Sequence, residues 1–274
     1  PPSRDGPAIR RLSLVAEVHR GPGQLKSDLD AALRELARAE VLLVASDFDG
    51  TLSPIVSDPS AASPDPRALE PLLGLAELPD TPVLVISGRA HRDVDERLGP
   101  VPPGVDVIGS HGAETGAENW GESHPDIEVF TARLRDLIDR FPGSELEVKP
   151  FSVAFHLRNV VAEERARVRR EAIDRVGPIA AHMKEGKKVL EFMAVAADKG
   201  QALEAYRVTC GATATFFVGD DVTDEAAFEV LGPGDVGVKV GPGQTATGYR
   251  VADQPDVAGL LTELLHQRKN YMRG

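Results

Sequence analysis

The chain has 274 residues, 42% hydrophobic and 27% charged, with a net charge of −12. That length suits one large or two modest domains whose core needs no staples, and the acidic balance argues against a nucleic-acid partner held through phosphates. Cys210 is the only cysteine, which excludes an intrachain disulfide and fits a reducing cytoplasm.

Residues 1–26 mix Pro, Gly and charge without periodicity and are expected to form a loosely ordered arm. Arg10-Arg11 is followed by Glu17, His19 and Arg20, not by the apolar region of a twin-arginine signal, and no apolar stretch is long enough to cross a bilayer. A cytoplasmic protein without a membrane or obligate protein partner is therefore expected. Residues 27–40 space their apolar positions as a helix does, with Ser27 as N-cap, and an apolar strand follows at 41–46. A Pro/Ser/Asp-rich loop at 53–66 leads to a helix ending near Leu78. Further strands are predicted at 82–86 and 105–109, separated by a helix at 90–98. This alternation predicts a doubly wound, mostly parallel α/β sheet.

The rhythm changes after residue 113. A polar, Gly-rich stretch precedes a helix at about 126–140, two alternating strands at 146–148 and 152–157, a charged helix at 161–175 and a strand at 188–194. This block reads as an α+β insert. A helix after Lys199, strands at 214–218 and 235–240 and a helix at 256–267 resume the first pattern. The expected division is a core of 27–113 and 194–274 and an insert of 114–193, with hinges near 112–116 and 194–197.

The strand at 41–46 runs into Asp47-Phe48-Asp49-Gly50-Thr51-Leu52. Open α/β sheets bind ligands at this end of their strands, and residues i and i+2 of an extended chain share a face. Two carboxylates placed so repel unless a cation or a shared proton intervenes, so a metal site, an acid/base couple or both are implied. Three more polar clusters stand at the same end: Ser87-Gly88-Arg89, Asp198-Lys199-Gly200, and Gly219-Asp220-Asp221-Val222-Thr223-Asp224-Glu225. Ser-Gly or a helix-opening Lys has a plain turn or solvent-facing reading when taken alone; four clusters on one edge do not.

The combination suits phosphoryl transfer through a covalent intermediate. Asp47 is the expected nucleophile, and Asp49 the acid and base. Mg²⁺ prefers hard oxygen ligands; Asp47 and Asp220 are the expected ones, with the backbone carbonyl of Asp49 as a third. Lys199, Thr51, Ser87 and the backbone at Gly50 and Gly88 are expected to hold phosphate oxygens, and Asp224 to orient Lys199 or a metal-bound water.

In their order, these four clusters resemble the motifs of the haloacid-dehalogenase superfamily, and the insert resembles that superfamily's α+β cap. More narrowly, Gly109-Ser110-His111-Gly112-Ala113-Glu114, Glu147-Val148-Lys149, Ser152–Arg158 and Lys187-Lys188-Val189-Leu190-Glu191 resemble segments of the trehalose-6-phosphate phosphatase family. The resemblance covers roughly residues 40–265. It implies a Mg²⁺-dependent sugar-phosphate phosphatase whose cap closes over a small-molecule substrate. It also implies that Glu147, Lys149, Arg158, Lys187 or Lys188, and Glu191 face the sugar or phosphate, with His111 and Asn119 as weaker candidates. The core motifs do not separate trehalose 6-phosphate from sucrose phosphate or mannosylglycerate phosphate. A sugar-phosphate-binding regulator without catalysis and a phosphomutase are the rivals of other classes.

Overall fold

A computed structural model describes residues 22–56, 58–114, 123–186 and 188–274, with no side-chain placement for 22–26 or Pro59. The expectations for residues 1–21 and for Asn119 and Lys187 lie outside the described residues, as does part of the first hinge.

The core is a six-stranded sheet of order β10-β9-β8-β1-β2-β3. Its strands are β1 (Leu42–Ser46), β2 (Val83–Ile86), β3 (Val105–Ile108), β8 (Ala214–Gly219), β9 (Val236–Val240) and β10 (Tyr249–Val251). Every neighbouring pair is parallel. The chain builds outward from β1 to β3 on one side and returns to build β8 to β10 on the other. The strand order therefore reverses between β1 and β8, which opens a crevice at their carboxyl ends.

The two faces of the sheet are buried separately, as the alternation of side chains demands. Leu42, Val44, Phe216 and Val218 point to one face and pack with Leu33 of α1 (Pro22–Leu36), Leu72 of α2 (Pro66–Ala76), Val94 of α3 (His91–Leu98) and Leu261 of α8 (Gln254–Arg273). Leu43, Ala45 and Phe217 point the other way, onto Leu203 of α6 (Lys199–Cys210) and Phe228 of α7 (Glu225–Glu229). Arg268 of α8 is buried and donates to the carbonyls of Ala37 at 3.0 Å and Asp80 at 3.0 Å, where its charge ties the chain together at the end of the sheet opposite the crevice.

The insert is an antiparallel sheet of order β4-β5-β7-β6. Its strands are β4 (Glu145–Val148), β5 (Ser152–His156), β6 (His182–Gly186) and β7 (Val189–Met193), backed by α4 (Pro125–Arg140) and α5 (Ala162–Val176). Leu146, Met183, Val153, Phe155, Leu190 and Phe192 form the apolar face against those helices. The opposite face carries the residues of alternate parity. In one row across it, Glu147 pairs with Ala154, Ala154 with Glu191 and Glu191 with Lys184. An antiparallel sheet covered on one face leaves such a polar face free.

The architecture is the expected one, with local differences. α1 starts at Pro22, so Ser27 lies inside a helix and is not its N-cap, and residues 22–26 are helical instead of a loose arm. β6 was not expected, because His182-Met183-Lys184-Glu185-Gly186 has little apolar alternation; as an edge strand it needs only Met183 inward. The three-residue β10 and the five-residue α7 fall below the length at which periodicity is readable. The final helix extends well past residue 267. Among the described residues, no helix is long and apolar enough to cross a membrane.

Candidate active site

Asp47 leaves the end of β1 and is almost fully buried. Lys199, the first residue of α6, donates to Asp47 Oδ1 at 2.5 Å and to Asp224 Oδ1 at 2.7 Å. Its helix is started by Asp198, whose side chain accepts the Gln201 N–H at 2.8 Å as an N-cap. Asp224 is fixed by its other oxygen, which accepts the Asp221 N–H at 2.8 Å. Asp220 follows β8 directly, and its carbonyl accepts from Lys239.

Oxygens of Asp47, Asp220 and Asp224 lie within 4.8 Å of one another. The Lys199 ammonium thus bonds two of these three carboxylates. Burial, the largest influence, pushes Asp47 well above the usual carboxylate range; Lys199 pulls it back, and Asp224 and Asp220 add to the rise. Burial, then Asp224 and Asp221, push Asp220 up to about 6. Lys199 is held above the ordinary lysine value: burial alone would lower it, and Asp47 and Asp224 more than offset that. Asp220 Oδ1 is buried without a hydrogen-bond partner among the described residues. An orphaned oxygen in an all-oxygen, negatively charged set fits a hard divalent cation.

The phosphate-binding candidates line the same crevice. Thr51 and Ser87 are fully buried, and Thr51 Oγ1 has no hydrogen-bond partner among the described residues. Ser87 Oγ accepts the Arg89 N–H at 3.1 Å. Two glycines are required by this crowding. Gly50 has φ 82°, and a Cβ there would also run into the Asp220 carboxylate; at Gly88 a Cβ would strike the His111 ring.

Asp49 is placed differently from its partner. Both its oxygens are taken by Arg89, at 2.7 Å each, and Arg89 also reaches Asp93 at 2.8 Å and lies over the Phe48 ring. The carboxylate that joins Asp47 and Asp220 is that of Asp224, not that of Asp49. Sequence reasoning passed over Arg89, which stands third in its motif and reads in isolation as a solvated cation beside a helix start.

His111 sits at the junction between the two sheets, in a turn where Ser110 has φ 50° and His111 φ 58°. Such left-handed backbone is costly for residues other than glycine. Glu114 holds it: it accepts from Ser110 Oγ and takes the His91 N–H at 3.1 Å. The His111 imidazole is kept neutral, its pKa pushed down to about 3 by burial first and then by Lys184 and Lys199. His111 Nδ1 has no hydrogen-bond partner among the described residues. Glu114 was named only as part of a segment, and its fixing of the turn has no signal in the linear pattern.

On the cap, Glu191 accepts from Ser152 Oγ at 2.8 Å and from Lys149 at 3.1 Å. Glu147 pairs with His156 at 2.9 Å and lies 4.0 Å from Lys149. Burial alone would raise Glu191, but Lys149 and Ser152 outweigh it and hold the carboxyl below its usual value. The charges of Glu191 and Lys149 are both felt at His111, so this polar face is turned toward the junction and the core. Arg158 and Lys188 are exposed beyond the far ends of β5 and β7, and no described contact joins them to the Glu147–Lys149–Glu191 group.

A family model described as trehalose-phosphatase matches residues 45–254. The chain belongs to the trehalose-phosphatase family. It is 35% identical over 248 residues to a bifunctional trehalose-6-phosphate synthase/phosphatase of Thermoproteus tenax, with 86% of this chain and 33% of that protein covered. It is 37% identical over 245 residues to a trehalose-phosphate phosphatase of Mycobacterium marinum, covering 78% of this chain and 59% of that protein. The chain thus spans between a third and three-fifths of the length of these curated relatives. Among solved structures, an Aspergillus fumigatus trehalose-6-phosphate phosphatase superposes with a TM-score of 0.64 at 29% identity, covering 86% of this chain and 97% of that one. The parallel sheet with its inserted antiparallel sheet is accordingly a haloacid-dehalogenase-type core with an α+β cap.

Proposed function

We propose that this chain hydrolyses trehalose 6-phosphate to trehalose and phosphate. The observation that carries the reading is the buried Asp47–Lys199–Asp224–Asp220 cluster at the crevice, faced by a cap surface of carboxylates and lysines. The division proposed is a core of residues 27–113 and 194–274 that does the chemistry, and a cap of 114–193 that selects the sugar and excludes water on closing.

An Asp47 carboxylate oxygen attacks phosphorus, and the bond from phosphorus to the sugar oxygen breaks. Asp49 gives its proton to the departing oxygen and then takes one from the attacking water. That water displaces Asp47, whose bond to phosphorus breaks, and inorganic phosphate leaves. For this work Asp49 must exchange its contacts with Arg89 for the sugar oxygen. Lys199 holds Asp47 in line and, with Thr51, Ser87 and the Gly88 N–H, takes up negative charge on the phosphate oxygens. Asp224 keeps Lys199 in place. Mg²⁺ held by Asp47, Asp220 and the Asp49 carbonyl, with Asp224 beside them, would offset the repulsion between anionic nucleophile and anionic phosphate. Glu147 and Glu191 accept hydrogen bonds from sugar hydroxyls, and Lys149 and His111 supply polar contacts beside them.

Phosphate release across a panel of sugar phosphates, with Mg²⁺ and with the metal chelated, tests this. The expected result is metal-dependent release that is fastest from trehalose 6-phosphate. Faster release from sucrose phosphate or mannosylglycerate phosphate would reassign the substrate. Specific sugar-phosphate binding without release would make the chain a regulator.

A further inference from the structure

Five cationic side chains among the described residues lie around the crevice, and four are already occupied, the buried Lys239 among them by the Asp220 carbonyl. Lys199 is shared by Asp47 and Asp224. Lys149 is held by Glu191, and Arg89 by Asp49 and Asp93. His111 is neutral. A phosphate dianion entering this site therefore meets little uncommitted positive charge from these groups, in a chain whose overall field repels it.

The fifth cation is Lys184. It stands on β6 directly across from Glu191, on the same polar face as Glu147. It forms no hydrogen bond or salt bridge with any described residue. Its surroundings reach across to the core, for it interacts electrostatically with Lys199 and Asp221 and also with His111. Burial, with Lys199 and Lys149 nearby, lowers its pKa against the opposing pull of Glu191 and Asp221. A half-buried ammonium without a salt bridge, set among other cations, costs free energy unless an anion completes it.

We propose that Lys184 is a substrate-binding residue that takes a phosphate oxygen from the cap side, so that the phosphate itself helps to draw the cap onto the core. Within the phosphatase reading, on which the inference rests, Glu191 and Glu147 read the sugar while Lys184 reads the phosphate. Lys184 therefore contributes to every phosphate ester the enzyme accepts and nothing to discrimination between sugars.

Calorimetric titration of the full chain with inorganic phosphate in Mg²⁺, and separately with trehalose, tests this without turnover. K184Q should weaken phosphate binding about tenfold, the loss of one charge-assisted hydrogen bond, and leave trehalose affinity within about twofold. K184R should keep phosphate affinity within about threefold. K184T, β-branched and suited to an edge strand, gives the same reading if K184Q does not fold. Unchanged phosphate affinity in the neutral variants, equal weakening of both ligands, or a parent protein that binds no phosphate would each overturn the assignment. Failure of the parent to hydrolyse trehalose 6-phosphate would overturn the proposed function instead, while the phosphate titration still reads Lys184.

Discussion

The core cluster and the polar face of the cap use the same side chains, carboxylates and lysines, in opposite surroundings. Asp47, Lys199 and Asp224 are each less than 5% exposed, whereas the Glu147 side chain is 53% exposed and that of Lys149 20%. In the core, low dielectric makes each charge depend on its neighbours, and pKa values move far from their ordinary positions. On the cap, water screens the Glu147–His156 pair, while the Lys149–Glu191 pair, 20% and 15% exposed, is intermediate between the two settings. On the proposed reading, burial divides the work: reactivity below, recognition above.

The strongest way to break that comparison is Asp47→Asn. Turnover should fall by at least roughly 10⁴-fold on both a sugar phosphate and a small aryl phosphate, with an unchanged circular dichroism spectrum. Retained turnover would remove the nucleophile assignment. Lys199→Met should also abolish turnover, and it should destabilise the fold by about 3 kcal/mol in chemical denaturation, because Asp47 and Asp224 are left buried without their counter-charge. An unaltered midpoint would mean that water already reaches this cluster.

Glu114→Ala sharpens the comparison at the hinge between the regions. Without it, the left-handed turn at Ser110–His111 loses its support, and KM for the sugar phosphate should rise about tenfold at nearly unchanged kcat. A change in kcat alone would place His111 with the chemistry. The smallest effect concerns pH. Asp220 holds its proton in the fold up to about pH 6, whereas an unfolded Asp loses it near pH 4. The stability this group contributes is therefore present below about pH 4 and lost as pH rises through about 6. In metal-free protein, Asp220→Asn should become more stable relative to the parent over that window, by on the order of 1 kcal/mol. A constant difference between the two melting curves would contradict the raised value.

The core was legible in the sequence because its candidate residues follow apolar runs. Asp47, Ser87 and Asp220 each end a buried strand, and Lys199 opens a helix behind an N-cap. Arg89 and Lys239 were not legible, since what they do is hold Asp49 and the Asp220 carbonyl, contacts between segments far apart in the chain. The cap was legible as an α+β insert but not as a surface. The family pattern pointed to Glu147, Lys149 and Glu191, whereas Lys184, the residue proposed above, lies on a strand with almost no apolar side to reveal it. Arg158 and Lys188 match that pattern in sequence, yet stand away from the cluster at the exposed ends of β5 and β7.

The division of labour is tested most directly by measuring kcat/KM for Glu191→Ala on trehalose 6-phosphate and on p-nitrophenyl phosphate. The expected loss is roughly a hundredfold on the sugar phosphate and less than about threefold on the aryl phosphate, which has no sugar hydroxyls to lose. Equal losses on the two substrates would contradict that division and place Glu191 with the chemistry of the core.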